Sequence, residues 1–369
     1  MQQFLKTFVR FDWILLFSAV ALCAIGLLEI YGINSSRGAS DIFQFQKQLI
    51  SACLGVVLSL SFVFIHFRDL RAFALPIYIF GGVLLLLSLL FGMSLNGGGR
   101  WFQVGVLSFQ PVELAKICFI IFLASYLPRY TRKRLTWTAF IGSGLALILY
   151  LLFIMLQPDF GSGMVLVAIW LVCVLFCGLP RHAWWMMLLA SIIALPLMWS
   201  FGLKPYQKNR LIAFIDPKSD VRGAGYNVTQ ARIAFGSGGW FGKGVGEGSQ
   251  ARLRFLPVAT SDFMFAVIGE EMGFAGISMI LSLFGIILYR LLRIGSLAED
   301  ASSAVLLVGL AALIAFHLFV NAGMNIGISP VTGIPLPFVS AGASSLVVLF
   351  LAIGLAQSVA TSSRFISSD

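Results

Sequence analysis

Charged side chains are scarce in this sequence. Lys, Arg, Asp and Glu together make up 11% of its 369 residues, whereas an average soluble domain carries about 25%. The three histidines, at positions 66, 182 and 317, are scattered and show no spacing typical of a metal site. Hydrophobic residues, by contrast, account for 59% of the chain. These proportions exclude a set of soluble domains and predict an integral membrane protein.

The sequence also lacks the motifs of disulfide-stabilised and nucleotide-dependent proteins. All five cysteines fall inside apolar runs, so they form no disulfide framework. The glycine-rich run 236–248 has no phosphate-loop register, because Gly242-Lys243 is followed by Gly244 rather than Ser or Thr. We therefore expect no nucleotide cofactor and no nucleic-acid partner. The first apolar run is too long for a cleavable signal peptide and lacks a small-residue cleavage site.

The chain does have a series of long apolar runs. An α-helix needs about 20 apolar residues to cross about 30 Å of hydrocarbon. Ten runs approach or exceed that length, at residues 12–33, 48–66, 73–94, 112–127, 138–157, 160–179, 183–203, 263–292, 302–328 and 335–359. The sequence therefore predicts an all-α polytopic membrane protein with about ten transmembrane helices, which form a single integral membrane domain over residues 1–369.

Lys and Arg are unevenly distributed between the two predicted sides of the membrane. With the N-terminus in the cytoplasm, short cytoplasmic segments hold twelve of the 25 Lys and Arg, and short outer segments hold four. This bias predicts that both termini are cytoplasmic. The other nine lie in one long polar segment, 204–262, which then faces outward with a formal charge of +5. A basic segment that opposes the charge trend indicates an anionic ligand. Within this segment, apolar and polar residues alternate at near-helical spacing over residues 226–235, which predicts a short amphipathic helix.

Four other polar stretches rich in glycine or proline fall on the same predicted outer side, at residues 96–101, 108–116, 157–161 and 329–345. Glycine permits tight backbone turns and proline ends helices, so these stretches predict shaped loops or broken helices. Non-helical backbone at membrane depth is tolerated only where it is buried in protein or lines a cavity. The stretches therefore predict a polar cavity that opens outward.

Two acids in these segments have both a structural and a chemical interpretation. Asp262 is the last residue of the 204–262 segment, which holds nine cations, and it precedes the apolar run 263–292. It could cap the following helix together with Ser261, or serve as a general base toward an anionic substrate. Asp159 suits a turn and cap, or a contact with substrate. Glu270 and Glu271 lie about 12 Å further along the helix, and we expect them to be paired inside the protein.

A third group of residues lies at the start of the fourth apolar run. Glu113 and Lys116 are spaced i, i+3, which predicts an ion pair at a helix start. The alternative is that Lys116 and Arg100 form a clamp for an oxyanion or diphosphate, with Trp101 and Gln110 shaping the pocket. The residues alone leave both alternatives open.

Six motifs, in this order, resemble the SEDS family (shape, elongation, division and sporulation): NGGGRW…FQPVELAK (96–116), QPDFG (157–161), YQKNRL (206–211), GGWFGKGVGEGSQ (238–250), TSDFMFAVIGEE (260–271) and PVTGIPLPFVSAGASS (330–345). The short termini and Gly333-Ile-Pro-Leu-Pro337 resemble the rod-shape RodA branch. The chain departs from the family at Ser340-Ala-Gly-Ala-Ser-Ser345, where members usually have Ser-Tyr-Gly-Gly-Ser-Ser. It also has Ala259-Thr-Ser-Asp262 where many members have His-Thr-Asp.

The resemblance implies a peptidoglycan glycosyltransferase that polymerises lipid II at the outer face of the cytoplasmic membrane during cell elongation. It implies a class B penicillin-binding protein and other elongation-complex proteins as partners, and Mg²⁺ or another divalent cation as a candidate cofactor. Asp262 would be the catalytic base of an inverting displacement. The substrate-binding positions that it implies are Arg100, Trp101, Gln110, Glu113, Lys116, Asp159, Lys208, Arg210 and Lys243.

Two other functions fit parts of the pattern. Ten spans with broken helices and a cationic cavity would also suit a transporter, here a lipid II flippase. The asymmetry of the sequence favours the enzyme, because the shaped polar stretches all fall on one predicted side. An inactive scaffold for elongation proteins would leave Asp262 unexplained.

Overall fold

The computed structural model describes residues 10–37, 42–94, 100–104, 107–131, 134–216, 220 and 223–362. These residues are mostly helical. The fifteen α-helices that we label are α1 Trp13–Arg37, α2 Ile42–Ser61, α3 Phe67–Ala72, α4 Ala74–Phe91, α5 Pro111–Tyr126, α6 Trp137–Leu156, α7 Phe160–Phe176, α8 Ala183–Leu197, α9 Pro205–Ile215, α10 Ala224–Ser237, α11 Ser249–Arg252, α12 Met264–Glu271, α13 Gly273–Ser296, α14 Ala301–Ile326 and α15 Ala343–Ser362. Three short strands, β1 Met93–Ser94, β2 Arg100–Val104 and β3 Leu107–Phe109, form an antiparallel sheet in the order β1-β2-β3.

The predicted polytopic helical fold is confirmed. Within the described ranges, nine helices are long and apolar enough to cross a membrane: α1, α2, α4, α5, α6, α8, α13, α14 and α15. A tenth, α7, is apolar but has only 17 residues, which gives it a length of about 26 Å. Together they account for the ten predicted spans.

Three of these helices form the centre of the bundle. In α5, α14 and α15, between 72% and 83% of the most apolar 18-residue stretch is buried inside the protein. The corresponding share is 28% in α4 and only 6% in α8, so those helices present most of their side chains outward. Because hydrocarbon is as apolar as leucine, a membrane helix can be apolar on every face, and sequence periodicity does not distinguish central from peripheral helices.

One predicted span is broken into two helices. The run 263–292 forms α12 and α13, which meet at Met272 and Gly273, and Gly273 has a left-handed backbone with φ of +64°. The break releases carbonyl groups of α12 and amide groups of α13 from helical hydrogen bonds. Backbone groups of the glycine-rich run bond them at 2.9–3.0 Å: Lys243 N to Glu270 O, Gly244 N to Glu271 O, Phe274 N to Gly239 O and Ala275 N to Trp240 O. The glycine-rich run is therefore a backbone partner of a broken helix.

The last predicted span begins later than expected. The apolar run 335–359 predicts a helix from residue 335, but α15 begins at Ala343. Residues 330–342 have no helical backbone because Pro330, Pro335 and Pro337 each remove an amide donor. The start of α2 also differs, at Ile42 rather than 48, and α8 ends at Leu197 rather than 203, where the π-helix Met198–Gly202 follows it. The bounds of the other predicted spans agree to within a few residues.

The polar segment 204–262 is folded rather than an open loop over the residues that are described, 204–216, 220 and 223–262. It contains α9, α10 and α11, and α10 covers the predicted amphipathic helix 226–235. A second core lies beneath it, separate from the main core of the bundle. Its members are Ile33, Val228, Ala231, Ala234, Ala251, Leu256, Ala259, Phe263, Ala266, Val267, Met324 and Val331. The segment is therefore fixed against α1, α12 and α14.

Candidate active site

A cavity of about 550 Å³ lies where the polar stretches of the sequence meet. Its walls come from β2 and β3, residues 158–161 at the start of α7, α9, the turn 258–262 before α12, and the strip 330–335. Residues 341–345, at the start of α15, complete the lining. Segments far apart in sequence thus enclose one polar space, as the shaped stretches predicted.

Asp262 lines this cavity and does not cap the helix that follows it. Helix α12 begins at Met264, and no side chain caps it through its N-cap residue Phe263. The amide of Ala266 bonds instead to Asn325 Oδ1 at 3.1 Å. The Asp262 carboxylate accepts a hydrogen bond from the Ser261 hydroxyl at 2.9 Å. The capping interpretation was therefore wrong, and the carboxylate faces the cavity.

The surroundings of Asp262 raise the pKa of its carboxyl group above the ordinary value. Burial is the largest cause, because it disfavours the charged form. The Ser261 hydroxyl and the positive charge of Arg210 act in the opposite direction without cancelling it. A carboxylate with a raised pKa is a stronger base than a solvated one, which suits proton abstraction from a hydroxyl group.

Arg210 brings a cation close to this carboxylate. Its Nη1 is 3.5 Å from the carbonyl oxygen of Val331, in the strip 330–335. Gly333, in the same strip, has φ of +75°, and a Cβ there would lie 3.5 Å from Asp262 Oδ2 and 3.8 Å from Arg210 Nη1. A Cβ at position 333 would thus meet both groups at ordinary van der Waals distance, and it is the left-handed backbone that favours glycine there.

Trp101, Gln110 and Asp159 also line the cavity. Asp159 caps α7, because its carboxylate accepts from the Ser162 amide at 3.1 Å and the Ser162 hydroxyl at 2.8 Å. The Gln110 amide donates to Asp159 Oδ2 at 3.3 Å. The predicted cap is confirmed, and the same residue faces the space in which a substrate would lie.

Glu113 and Lys116 lie behind the cavity wall. Lys116 Nζ is 2.8 Å from Glu113 Oε1 and 3.2 Å from His317 Nε2, and the lysine side chain is only 1% exposed. Glu113 Oε2 lies 3.5 Å from the hydroxyl of Ser345, which does line the cavity. The predicted ion pair is present, and it reaches the cavity through Ser345.

Three other predicted positions lie outside the lining that the described residues define. Arg100 donates to the carbonyl of Gly92 at 2.8 Å. Lys208 Nζ lies 5.9 Å from the ring centroid of Trp199. Lys243 forms an ion pair with the buried Glu270 at 2.7 Å. Each cation therefore already has a partner within the chain.

The predicted pairing of Glu270 and Glu271 is confirmed. Besides Lys243, Glu270 accepts from the hydroxyl of Ser249 at 3.0 Å. Glu271 accepts from the amide of Gly246 at 2.6 Å. Both carboxylates therefore stabilise the glycine-rich run, at a distance from the cavity lining.

Two residues that join the walls of the cavity were not predicted from the sequence. Tyr206 Oη and Gln207 Nε2 both donate to the carbonyl of Pro158, at 3.0 and 3.1 Å, and link α9 to the turn before α7. The motif YQKNRL contained this signal. Its polar residues Tyr206 and Gln207 adjoin the two cations Lys208 and Arg210. In the part of the chain that the structure describes, no three His, Cys, Asp or Glu side chains group as metal ligands.

The fold and the site define a polytopic helical membrane protein in which a half-buried carboxylate and an arginine line one polar cavity. Comparison with known proteins gives the family. A family profile described as cell cycle protein, FTSW_RODA_SPOVE, matches residues 12–365. The chain belongs to this family, and the predicted family is thereby confirmed.

Relatives extend over nearly the whole chain. The peptidoglycan glycosyltransferase MrdB of Escherichia coli K12 is 34% identical over 373 residues, covering 99% of this chain and 98% of the relative. The probable peptidoglycan glycosyltransferase FtsW of Nitrosococcus halophilus is 36% identical over 363 residues, covering 96% and 93%.

Solved structures show the same fold. The rod shape determining protein RodA of Thermus thermophilus matches with a TM-score of 0.71 at 30% identity, over 96% of this chain and 98% of that one. A chain from a peptidoglycan synthase complex, described as coordinating polymerization and crosslinking, matches with a TM-score of 0.79 at 30% identity, over 95% and 97%. The protein is accordingly a multi-span protein of the bacterial inner membrane.

Proposed function

We propose that this protein is a peptidoglycan glycosyltransferase that polymerises lipid II into glycan strands during cell elongation, with Asp262 as the catalytic base. One observation carries the proposal: Asp262 and Arg210 face the same cavity, where a base and a cation are needed for transfer from a diphosphate donor. The names of relatives that span nearly the whole chain support the enzyme class and the substrate.

The proposed orientation places this cavity at the outer face of the membrane, with both termini in the cytoplasm. The support is the distribution of Lys and Arg, of which the short segments on the proposed cytoplasmic side hold twelve and those on the other side four. In this orientation the folded 204–262 segment lies outside and provides α9 as a wall of the cavity. Lipid II would then enter with its sugar and diphosphate in the cavity and its polyprenyl chain in the bilayer.

The chemistry is a single displacement. The ionised Asp262 accepts the proton of the acceptor sugar 4-hydroxyl while that oxygen bonds to the anomeric carbon of the donor. The bond from that carbon to the diphosphate oxygen breaks, and its electron pair leaves with undecaprenyl diphosphate. One base and one direct displacement convert an α-linked donor into a β-linked product. Inversion therefore requires no covalent intermediate on the enzyme.

Arg210 is the residue proposed to stabilise the leaving diphosphate. A guanidinium group can donate two parallel hydrogen bonds to phosphate oxygens, and such charge-assisted bonds strengthen as negative charge develops. Its neighbour Val331 O lies at 3.5 Å, a weak contact that can be exchanged for a phosphate. Trp101 and Gln110 are proposed to contact the sugars and the peptide stem, because they line the same space. Asp159 lines it too and is proposed to contact the substrate through a divalent cation.

The other predicted substrate-binding residues are proposed to act at one remove. Glu113 and Lys116 hold each other behind Ser345 and so set the position of that hydroxyl. Arg100, Lys208 and Lys243 would bind the diphosphate only after giving up their present partners. We therefore rank them below Arg210 as direct ligands.

A divalent cation remains a proposal. Mg²⁺ in proteins is commonly held by one or two carboxylates, substrate phosphates and water. The two acids that line the cavity, Asp159 and Asp262, fit such a shared site but provide too few ligands for a site made by the protein alone. Asp159 would be the protein ligand, and the ion would neutralise charge on the diphosphate.

A class B penicillin-binding protein is the proposed partner, together with other elongation-complex proteins. The support is the structural likeness to a chain from a peptidoglycan synthase complex, at a TM-score of 0.79. A transpeptidase in the same complex would crosslink strands as they leave the cavity. We expect the purified chain to polymerise lipid II slowly alone and faster with the partner. Equal rates in the two preparations would count against activation by the partner.

The test is a polymerisation assay with purified protein, its partner and lipid II in detergent, in which product length is resolved on a gel. The parental protein should produce glycan strands, and Asp262→Asn should produce them at least about 100-fold more slowly. Glu247→Gln is a matched control, because it removes a carboxylate that lies in the same segment and is exposed and outside the lining. The absence of polymer from the parental complex, with lipid II translocation in vesicles instead, would favour the flippase.

A further inference from the structure

Two buried asparagines reach the backbone of the catalytic turn. Asn321 and Asn325 lie one turn apart on α14, and both are 0% exposed. The Nδ2 of each donates to the carbonyl oxygen of Asp262, at 3.1 Å in both cases. The Asn321 amide also donates to Ile334 O at 2.7 Å, and Asn325 Oδ1 accepts from the amide of Ala266 at 3.1 Å. Both side chains are thus bonded to the segments on either side of the base.

The two preceding carbonyls of the same turn are held as well. The carbonyl of Thr260 accepts from the amide of Ala341 at 2.8 Å. The carbonyl of Ser261 accepts from the hydroxyl of Ser340 at 2.5 Å. The three successive backbone carbonyls of residues 260–262 are therefore fixed by donors from α14 and from residues 340–341, just before α15. A helix start needs only its free amides to be capped, so this arrangement goes beyond capping.

Asn321 also links the base to the cation. The strip that includes Ile334 contains Val331, whose carbonyl oxygen lies 3.5 Å from Arg210 Nη1. One side-chain amide thus joins the turn of Asp262 to the strip against which Arg210 rests. The distance between Asp262 and Arg210 therefore depends on the position of this strip relative to this turn.

An asparagine is costly at such a position unless its hydrogen bonds are satisfied. Helix α14 is otherwise strongly apolar, with a mean hydropathy of 2.5 over its most apolar 18 residues. A buried amide without partners destabilises a protein, because it loses its hydrogen bonds to water. Helix packing alone would be served by two leucines, so packing does not explain why both amides bond to the same carbonyl.

We propose that Asn321 and Asn325 are positioning residues. They hold Asp262 in a fixed position relative to Arg210, which lines the same cavity. This inference rests on the proposed function, in which Asp262 is the base. The two asparagines touch the backbone of the base and of the opposite strip, and their effect on the reaction passes through Asp262.

Asn321→Leu tests this role, because leucine has nearly the shape of asparagine and no donor. A base displaced by about 1 Å can cost about 100-fold in rate. We expect kcat to fall by about that factor, while KM for lipid II changes by no more than about threefold. A loosened turn would also admit water beside Asp262. The acidic limb of the pH–rate profile should then move to lower pH, because burial is what raises the pKa of this carboxyl group.

Gln357→Leu is the matched control. Gln357 is also 0% exposed, and its side chain makes two hydrogen bonds with the backbone of Asp12, at 2.7 and 2.9 Å. The substitution removes a comparable pair of buried hydrogen bonds from the same bundle, outside the cavity lining. It should lower thermal stability to a similar degree and leave the activity of the folded protein and its pH profile unchanged.

The decisive comparison adds Asp262→Asn as a background. If Asn321 acts through the base, Asn321→Leu should lower the residual activity of the Asp262→Asn protein by less than twofold. An equal loss in both backgrounds, or a loss matching that of Gln357→Leu with an unmoved pH profile, would overturn the inference and leave the proposed function intact. Asn325→Leu is the second variant if Asn321→Leu does not fold. Failure of the parental complex to make polymer would overturn both.

Discussion

Asp262→Asn is the substitution that most directly tests the reasoning. Asparagine keeps the size of the side chain and can still accept from the Ser261 hydroxyl, which lies 2.9 Å from the carboxylate. It cannot take the proton of the acceptor hydroxyl. General-base catalysis contributes about 10²–10⁴-fold, which is about 3–5 kcal/mol of transition-state free energy. We expect turnover to fall by at least that lower factor.

The same substitution should stabilise the protein at neutral pH. Burial raises the pKa of Asp262 in the folded state above its unfolded value. The favourable contribution of this group is therefore complete below the unfolded pKa and is lost as pH rises through the folded pKa. Asparagine carries no charge to bury, so Asp262→Asn should unfold at a higher temperature than the parental protein near pH 7. The difference should shrink toward acidic pH.

The assays are lipid II polymerisation by the purified complex from pH 5 to 9 and thermal unfolding in the same detergent. Activity of the parental protein should decline on the acidic side as Asp262 becomes protonated, at a pH above the ordinary range of a carboxyl group. Glu247→Gln provides the control for a lost negative charge in the same segment. Near-parental polymerisation by a well-folded Asp262→Asn protein would refute the mechanism. A loss of stability at neutral pH would refute the account of its burial.

Three further predictions follow from contacts in and around the cavity. Arg210→Gln should lower kcat/KM by about 10–100-fold, because one charge-assisted hydrogen bond contributes about 1.5–3 kcal/mol; Arg254→Gln, at an exposed site in the same segment, should have little effect, and equal losses in the two variants would exclude a specific role for Arg210. Lys116→Met should destabilise the protein by about 3–5 kcal/mol in thermal or denaturant unfolding, because it leaves the buried Glu113 without its partner. Adding Glu113→Gln should recover part of that loss, and no recovery would contradict the ion-pair account. In a variant without the five native cysteines, Glu247→Cys should react with an impermeant thiol reagent in intact cells and Arg134→Cys should not; the reverse pattern would overturn the proposed orientation.

Sequence alone predicted the helices well because the hydrocarbon imposes a simple requirement. Every backbone group in it must be bonded internally, so an apolar run of sufficient length becomes a helix. Eight of the ten predicted spans correspond to single helices, with bounds that differ by about six residues at one end of α2 and of α8 and by fewer elsewhere. The two clear departures, at Met272 and at residues 335–342, occur where glycine or proline interrupts an apolar run. There the backbone is satisfied by another segment, which hydropathy cannot show.

Sequence also singled out Asp262, because an acid beside an apolar run and a basic segment is conspicuous by composition. Tertiary structure decided its chemistry. The amide of Ala266, in the first turn of α12, bonds to Asn325, 59 residues away in sequence, and Asp262 lines the cavity.

Tertiary structure likewise decided which of the predicted cations can reach a substrate. Lys116 meets His317, 201 residues further along the chain, and Lys243 meets Glu270, whereas Arg210 is left at the cavity wall. A lysine or arginine has the same charge wherever it stands in the sequence. Whether that charge is neutralised inside the protein or offered to a ligand depends on which carboxylate or carbonyl the fold brings within about 3 Å of it.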